Sequence, residues 1–319
     1  MKLNSILPVA LLMMAVSACQ NENEPNLAYQ NDPDAVKINP TIHKLQSRVN
    51  TTGNGDTWTN GDQIKVNMVS GNTAGGTNSA VYKYTNSSWT LQGSDYMKWP
   101  DNGDGCTFEA IYPYAEGSSN SYTRFVVPSD QSTEEKIKSA DWMLASTSSK
   151  KAESVNLPFT HQLAKITVKI TQYGSAYRPI PTIKDPWFLI PSVTITPEHT
   201  DIFVEGYVGK IRGLMKEDKS AAKHHSFSVI QIPGLYNENS EFLRLNVNGK
   251  VVSVHAGTNR ILTSIGIESG KAYTFNLVMG SSNDPSGSSI TIGDVTIEDW
   301  VPGNWQGEQG GDAEEYTEE

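Results

Sequence analysis

The sequence predicts an all-β protein built as two sandwich-like domains in tandem. Apolar and polar side chains alternate with a period of two along most of the chain, and a 3.6-residue period is nearly absent. Short apolar runs are broken at regular spacing by Gly, Asn and Ser clusters, the spacing of sandwich strands. At 319 residues the chain divides into two domains of ordinary size, and 37% hydrophobic beside 19% charged residues lets each half bury a core.

The chain opens on a different signal. Lys2 precedes an apolar run over residues 6–16, too short for the roughly twenty residues of a membrane span, and the run ends in Val16-Ser17-Ala18-Cys19. Residues 1–18 read as a lipoprotein signal peptide, with Cys19 as the thiol that receives the lipid. An ordinary secretion signal cut at the same bond is the alternative. Residues 19–33, rich in Asn, Glu and Gln, read as a polar tether.

The first domain is expected over residues 34–175. Val36, Ile38, Ile42 and Leu45 form an N-terminal apolar segment. Strands follow where Ile64, Val66 and Met68 alternate, then Tyr82 and Tyr84, Trp89 and Leu91, Phe125 and Val127, and Ile166, Val168 and Ile170. One short helix is expected over residues 132–139, because Thr133, Glu134 and Glu135 suit a helix start. Pro179, Pro181, Pro186 and Pro191 lack the N–H that a sheet ladder needs, so the boundary is placed there. The second domain is expected over residues 176–305. It alternates at Val193 and Ile195, at Phe227, Val229 and Gln231, at Tyr273, Phe275 and Leu277, and from Ile290 to Ile297. Asn248-Gly249 between Val247 and Val252 predicts a type I′ hairpin, since both residues accept positive φ.

Charge and chemistry narrow the function. The formal charge of −10 argues against nucleic acid, which rewards a basic face. Six of those charges are Glu308, Asp312, Glu314, Glu315, Glu318 and Glu319, so residues 306–319 read as an acidic disordered tail. Cys106 has no partner once Cys19 is acylated, and its alternation with Phe108 and Ala110 makes it a small buried hydrophobe. His224 and His225 are adjacent and would face opposite sides of a strand. Residues 101–105 read as a turn rather than a calcium loop, which would need a later bidentate Glu. No zinc spacing, nucleophile elbow or phosphate-binding loop occurs, so neither an enzyme nor a cofactor or metal is expected.

Local motifs then converge. Arg48 precedes Trp58-Thr59-Asn60-Gly61-Asp62-Gln63-Ile64; Trp99-Pro100 leads to Phe108-Glu109-Ala110-Ile111-Tyr112-Pro113; Asp141-Trp142-Met143 precedes Leu157-Pro158-Phe159-Thr160-His161; Gly270-Lys271-Ala272-Tyr273 and Ile297-Glu298-Asp299-Trp300 close the series. In order and spacing these resemble the fimbrillins, pilin and pilus-accessory lipoproteins of Gram-negative anaerobes. The resemblance implies two transthyretin-like β-sandwich domains and a non-enzymatic subunit displayed from the outer membrane or in a fimbrium. It also implies partners in other pilus subunits, met by strand exchange after a trypsin-like cut, with a host or bacterial surface ligand beyond them. Arg48 is the expected cut and Lys44 a competing one.

Read from the residues alone, the motif positions are architectural: Gly61-Asp62 a turn before the strand at Ile64, Trp58 and Trp99 core plugs, His161 hydrogen-bonded structure, with Phe159 and Trp300 further structural positions of the motif. Exposed Tyr or Trp side chains would instead suit a surface glycan-binding lipoprotein, the alternative function. Lipidation is directly testable. Cys19→Ala is expected to abolish acyl labelling and detach the protein from membranes; membrane association without any acyl chain on the unaltered protein would refute it.

Overall fold

A computed structural model describes residues 26–42, 58–70, 76–101, 103–151, 154–191, 193–194, 201–204, 209–217, 224–257, 259–280, 290–300 and 314–315. Cys19, Leu45, Arg48 and most of the tail therefore lie outside the described residues. The strands are β1 (Ile38–Ile42), β2 (Gln63–Ser70), β3 (Ser79–Thr85), β4 (Ser88–Gln92), β5 (Cys106–Tyr112), β6 (Arg124–Val127) and β7 (Met143–Ser149). Next come β8 (Val155–His161), β9 (Ala164–Tyr173), β10 (Ile183–Leu189), β11 (Val193–Thr194), β12 (Asp201–Val204), β13 (Lys210–Arg212) and β14 (Leu214–Glu217). The series ends with β15 (His225–Gln231), β16 (Gly234–Leu235), β17 (Glu241–Val247), β18 (Lys250–His255), β19 (Lys271–Met279), β20 (Ile290–Asp299) and β21 (Glu314–Glu315).

The first sheet runs β1-β8-β7-β5-β2-β3-β4. β8 pairs with β7 only through Met143–His161 and Leu144–Thr160, so the β1–β8 ribbon leaves the sheet and folds over it. Val155, Leu157 and Phe159 of that ribbon share one buried core with Ile64, Val66, Met68, Tyr82, Trp99, Phe108 and Ala110. Cys106 lies in the same core, where burial pushes its thiol pKa up. Trp99 plugs it, with its ring edge-to-face on Phe108 at 5.6 Å.

The second domain stacks a four-stranded sheet, β13-β10-β17-β18, on a six-stranded sheet, β14-β15-β9-β19-β20-β21. Phe188, Leu243 and Leu245 of one meet Ile166, Val168, Phe227, Val229 and Phe275 of the other in a second core. Phe242 and Phe275 touch across the layers with ring centroids 5.1 Å apart. The β17–β18 hairpin turns at Asn248 and Gly249, with φ of 50° and 82°, as the Asn-Gly pair requires. After the helical turn α1 (Leu27–Asn31), the helix α2 covers Glu134–Ser139, capped by the Thr133 hydroxyl accepting from the Lys136 amide and anchored by buried Ile137.

Four features depart from the sequence reading. β9 lies at the heart of the six-stranded sheet, between β15 and β19, so the chain changes sheets at Gln162-Leu163 and not in the proline-rich stretch near residue 175. Period-two alternation continues on both sides of that switch, which is why it left no mark in the sequence. Residues 114–142 also contribute to the second core through Phe125, Val127, Ile137 and Trp142, with β6 pairing in parallel to β12. In the tail, Glu314 and Glu315 pair with Ile297 and Thr296, so those two residues are not free.

The fourth departure is the tether, which is docked from Asn26 onward. Leu27–Asn31 form a helical turn, the Asn26 amide donates to the Gly93 carbonyl at 3.2 Å, and the Tyr29 ring packs edge-on against Tyr82 and Tyr96. Lys98 pairs with Asp32 at 2.8 Å, and the Tyr96 hydroxyl donates to the same carboxylate at 2.9 Å. The hydrogen bond from Lys98, with those from the Asp34 amide and Tyr96, lowers the Asp32 pKa from 3.8 to about 2.

Two outcomes follow from this packing. A Cβ on Gly174 would stand 1.9 Å from the Gly280 carbonyl oxygen, so Gly174→Ala should force β9 and β19 apart and cost about 1–3 kcal/mol in denaturant unfolding. Because folding lowers the Asp32 pKa, docking of residues 26–34 should hold at neutral pH and weaken only as pH falls below about 4 toward about 2. Amide exchange of Tyr29 and Asp34 against pH measures it, and loosening already at pH 6 would contradict the assignment.

Candidate functional site

β1 is the element whose neighbours give it a distinctive position. It lies at the edge of the first sheet and pairs in parallel with β8, Ile38 facing Val155 and Ile42 facing Phe159. The Val155 amide donates to the Lys37 carbonyl at 2.8 Å. By the alternation of a parallel ladder, the amides of Asn39 and Thr41 then face β8, while the nitrogen and the carbonyl of Pro40 face away from it. A proline is tolerated there because no N–H is needed on that side. Side chains follow the same period: Val36 and Pro40 are buried, Ile38 and Ile42 are half-buried, and Asn39 and Thr41 are exposed. Asn39 donates across the surface to the Asn156 amide oxygen at 2.9 Å.

The outward carbonyl of Pro40 does not meet solvent. Trp58 donates its indole N–H to it at 3.0 Å. The Trp58 ring, 9% exposed, is held edge-to-face by Trp89 at 4.9 Å and by Tyr112 and Phe159, both at 5.4 Å. Gly61 takes φ of 98° and closes the turn that brings Trp58 to this place. Asp62 holds the turn: it accepts from the Thr59 amide at 2.8 Å and from the Tyr112 hydroxyl at 3.2 Å, and it pairs with Lys138 at 2.6 Å. Trp58, Gly61, Asp62 and Phe159 thus form one assembly around the end of β1.

His161 and Trp300 meet elsewhere, at the junction of the two domains. The His161 ring stacks on Trp300 with centroids 4.0 Å apart and planes 9° from parallel, and its Nδ1 bonds the Asp141 carboxylate at 2.6 Å. Asp141 and His161 are both buried. Around them the Gln162 amide donates to the Trp142 carbonyl, the Gly270 amide to that of Leu163, and the Trp300 amide to that of Gly270. Among the described residues no group of three or more His, Cys, Asp or Glu side chains is placed to hold a metal. His224 and His225 bond different groups, the Ile170 carbonyl at 3.0 Å and the Tyr173 hydroxyl at 2.6 Å.

Sequence reasoning missed two participants. Tyr29, within the supposed tether, donates its hydroxyl to the Val36 carbonyl at 3.3 Å and so braces the entry to β1. Gln131 uses its side-chain amide as a piece of strand, donating to the Ile230 carbonyl and accepting from the Ile230 amide, each at 2.8 Å. Only the Gln131 side chain's complete burial betrays that role, and burial of a glutamine is not written in the sequence.

Comparisons with known proteins agree with the geometry. A Bacteroides uniformis protein described as fimbrium subunit Fim1C is 22% identical over 320 residues, covering 97% of this chain and 99% of its own. A crystal structure described as a cell adhesion protein from Bacteroides uniformis superposes with a TM-score of 0.56 at 18% identity, covering 85% of this chain and 100% of its own. Another from Bacteroides ovatus gives 0.57 at 21%, covering 84% and 98%. These two establish the shared fold. The fimbrillin-like family profile matches residues 47–300, most of the chain and all of the motif residues from Trp58 to Trp300, and the protein belongs to the fimbrillin-like family.

Proposed function

We propose that this chain is a structural or adhesive subunit of a cell-surface pilus, at its tip or its anchored end, assembled by proteolysis-triggered strand exchange. The observation that carries this reading is β1: an edge strand bonded to one neighbouring strand, followed after Ile42 by the segment that contains Arg48, with Trp58 beyond it. A cut after Arg48 would sever β1 from the rest of the chain. The β8 edge would then present unpaired backbone groups and an apolar trough once filled by Val36, Ile38, Pro40 and Ile42. Three such anchors at roughly 1.5–3 kcal/mol each would hold a replacement strand firmly. The family match beginning at residue 47, beside Arg48, supports β1 as a separable piece, and the naming of Fim1C as a fimbrium subunit supports the pilus.

In this reading, acylated Cys19 holds the uncut chain at the outer membrane. The tip-or-anchor position rests on the acidic tail, which offers Tyr316 as its only large apolar side chain after Trp305, so it would make a poor donor strand. The pairing of Glu314 and Glu315 with β20 is consistent with a tail that stays on its own domain. The glycan-binding alternative would call for exposed rings; among the described side chains every aromatic one is buried or half-buried.

N-terminal sequencing of the protein from assembled pili should give a chain starting at Val49; a mature chain starting at Cys19 would exclude the cut. Purified protein trimmed by a trypsin-like protease should stay monomeric by light scattering, whereas long homopolymers would make it a stalk subunit.

A further inference from the structure

Taking strand exchange as the working reading, we infer that Trp58 is the residue that reads the main chain of whichever strand occupies the β1 position. The incoming strand, from a second fimbrillin-like subunit, must place an outward carbonyl where that of Pro40 now stands.

The argument starts from which side of the cut each partner lies. Trp58 follows Arg48 and remains with the body of the protein, while Pro40 precedes it and departs with β1. The Trp58 indole is clamped by Trp89, Tyr112 and Phe159, and the Gly61–Asp62 turn is tied to Thr59, Tyr112 and Lys138. All of those residues remain. When β1 leaves, the ring therefore has no reason to move and its N–H loses its acceptor. With β1 gone the indole N–H can bond only water, and a strand that returns a carbonyl to that place restores a bond sheltered from solvent.

Register follows from that bond and the side chains together. In a parallel ladder on β8 the residue at the place of Pro40 turns its carbonyl outward, so the Trp58 bond requires that this place be filled, while the side chains set which residue fills it. A slip by one residue would bring the side chains matching Asn39 and Thr41 into the core. A fitting strand carries aliphatic residues at the places of Val36, Ile38 and Ile42 and accepts a proline at the place of Pro40, where no N–H is required.

The test uses residues 19–319 with a specific protease site replacing residues 50–55, so that the nick falls between β1 and Trp58 wherever nature cuts. A fluorophore on Cys19 reports release of the N-terminal fragment into excess unlabelled peptide of residues 34–46. Release from the W58F protein should be about tenfold faster than from the unaltered one, since phenylalanine fills much of the ring site but cannot donate. A peptide whose Pro40–Thr41 amide is replaced by an alkene should rebind the Trp58 protein about tenfold more weakly than the native peptide, and lose distinctly less against W58F. Equal release rates, or an equal loss for both proteins, overturn the inference. Should W58F fail to fold, hydrogen exchange of the Trp58 indole N–H in the unaltered protein decides: slow exchange before release and fast exchange after it supports the role, and no change refutes it. If the peptide displaces β1 but no second subunit does, strand exchange fails, while unequal release from the two proteins still assigns the bond to Trp58.

Discussion

The architecture depends on a buried polar contact where the domains meet. Asp141 and His161 bond at 2.6 Å with both side chains out of water, and Trp300 lies flat on the imidazole. Asp141 leads into β7, His161 ends β8, and Trp300 follows β20, so three points distant in sequence are fixed at one place. Their main chains are laced together there by the bonds among Trp142, Gln162, Leu163, Gly270 and Trp300. A buried pair of this kind is costly to half-remove, because the surviving partner keeps its desolvation penalty without its bond. That asymmetry gives the junction its specificity: an apolar contact would hold the two sandwiches together but would accept many angles between them.

The other constraint is the edge of the first sheet. An edge strand must account for a row of main-chain groups, and here side chains take part of that row, while the entry to the strand is bonded to residues 97–99 through the Val36 amide and the Asp34 carbonyl. The Trp58 indole takes the Pro40 carbonyl, the Tyr29 hydroxyl takes that of Val36, and Pro40 itself removes an N–H that would face outward. The Pro40 carbonyl is thus met from the body of the protein and the Val36 carbonyl from the N-terminal segment.

Much of this was legible in the sequence. Period-two alternation gave the strands around Ile64, Phe125, Ile166, Phe227 and Phe275, because one sheet face is dry and the other wet. Asn248-Gly249 gave its hairpin because few other pairs accept two positive φ angles, and Thr133 gave the start of α2 because a hydroxyl can cap it. The motif residues were recognised as architectural, and the structure gathers them into two knots, one around Asp62 and one around His161.

What alternation could not convey is which strand joins which sheet. β8 and β9 are separated by only Gln162 and Leu163 yet serve different sheets, and a ladder's partners are chosen by long-range packing that leaves the local period unchanged. The same holds for polar residues. Residues 26–33 look like a tether until Tyr29, Asp32 and Asn26 find Tyr96, Lys98 and Gly93 more than sixty residues away, and Gln131 looks solvated until it completes a ladder at Ile230. Sequence by itself determined the fold class and the turns, both of which rest on local conformation and side-chain type. Tertiary structure alone decided the domain switch, the docking of the N-terminal segment and the Trp58–Pro40 bond, because each depends on groups that only the folded chain brings within reach.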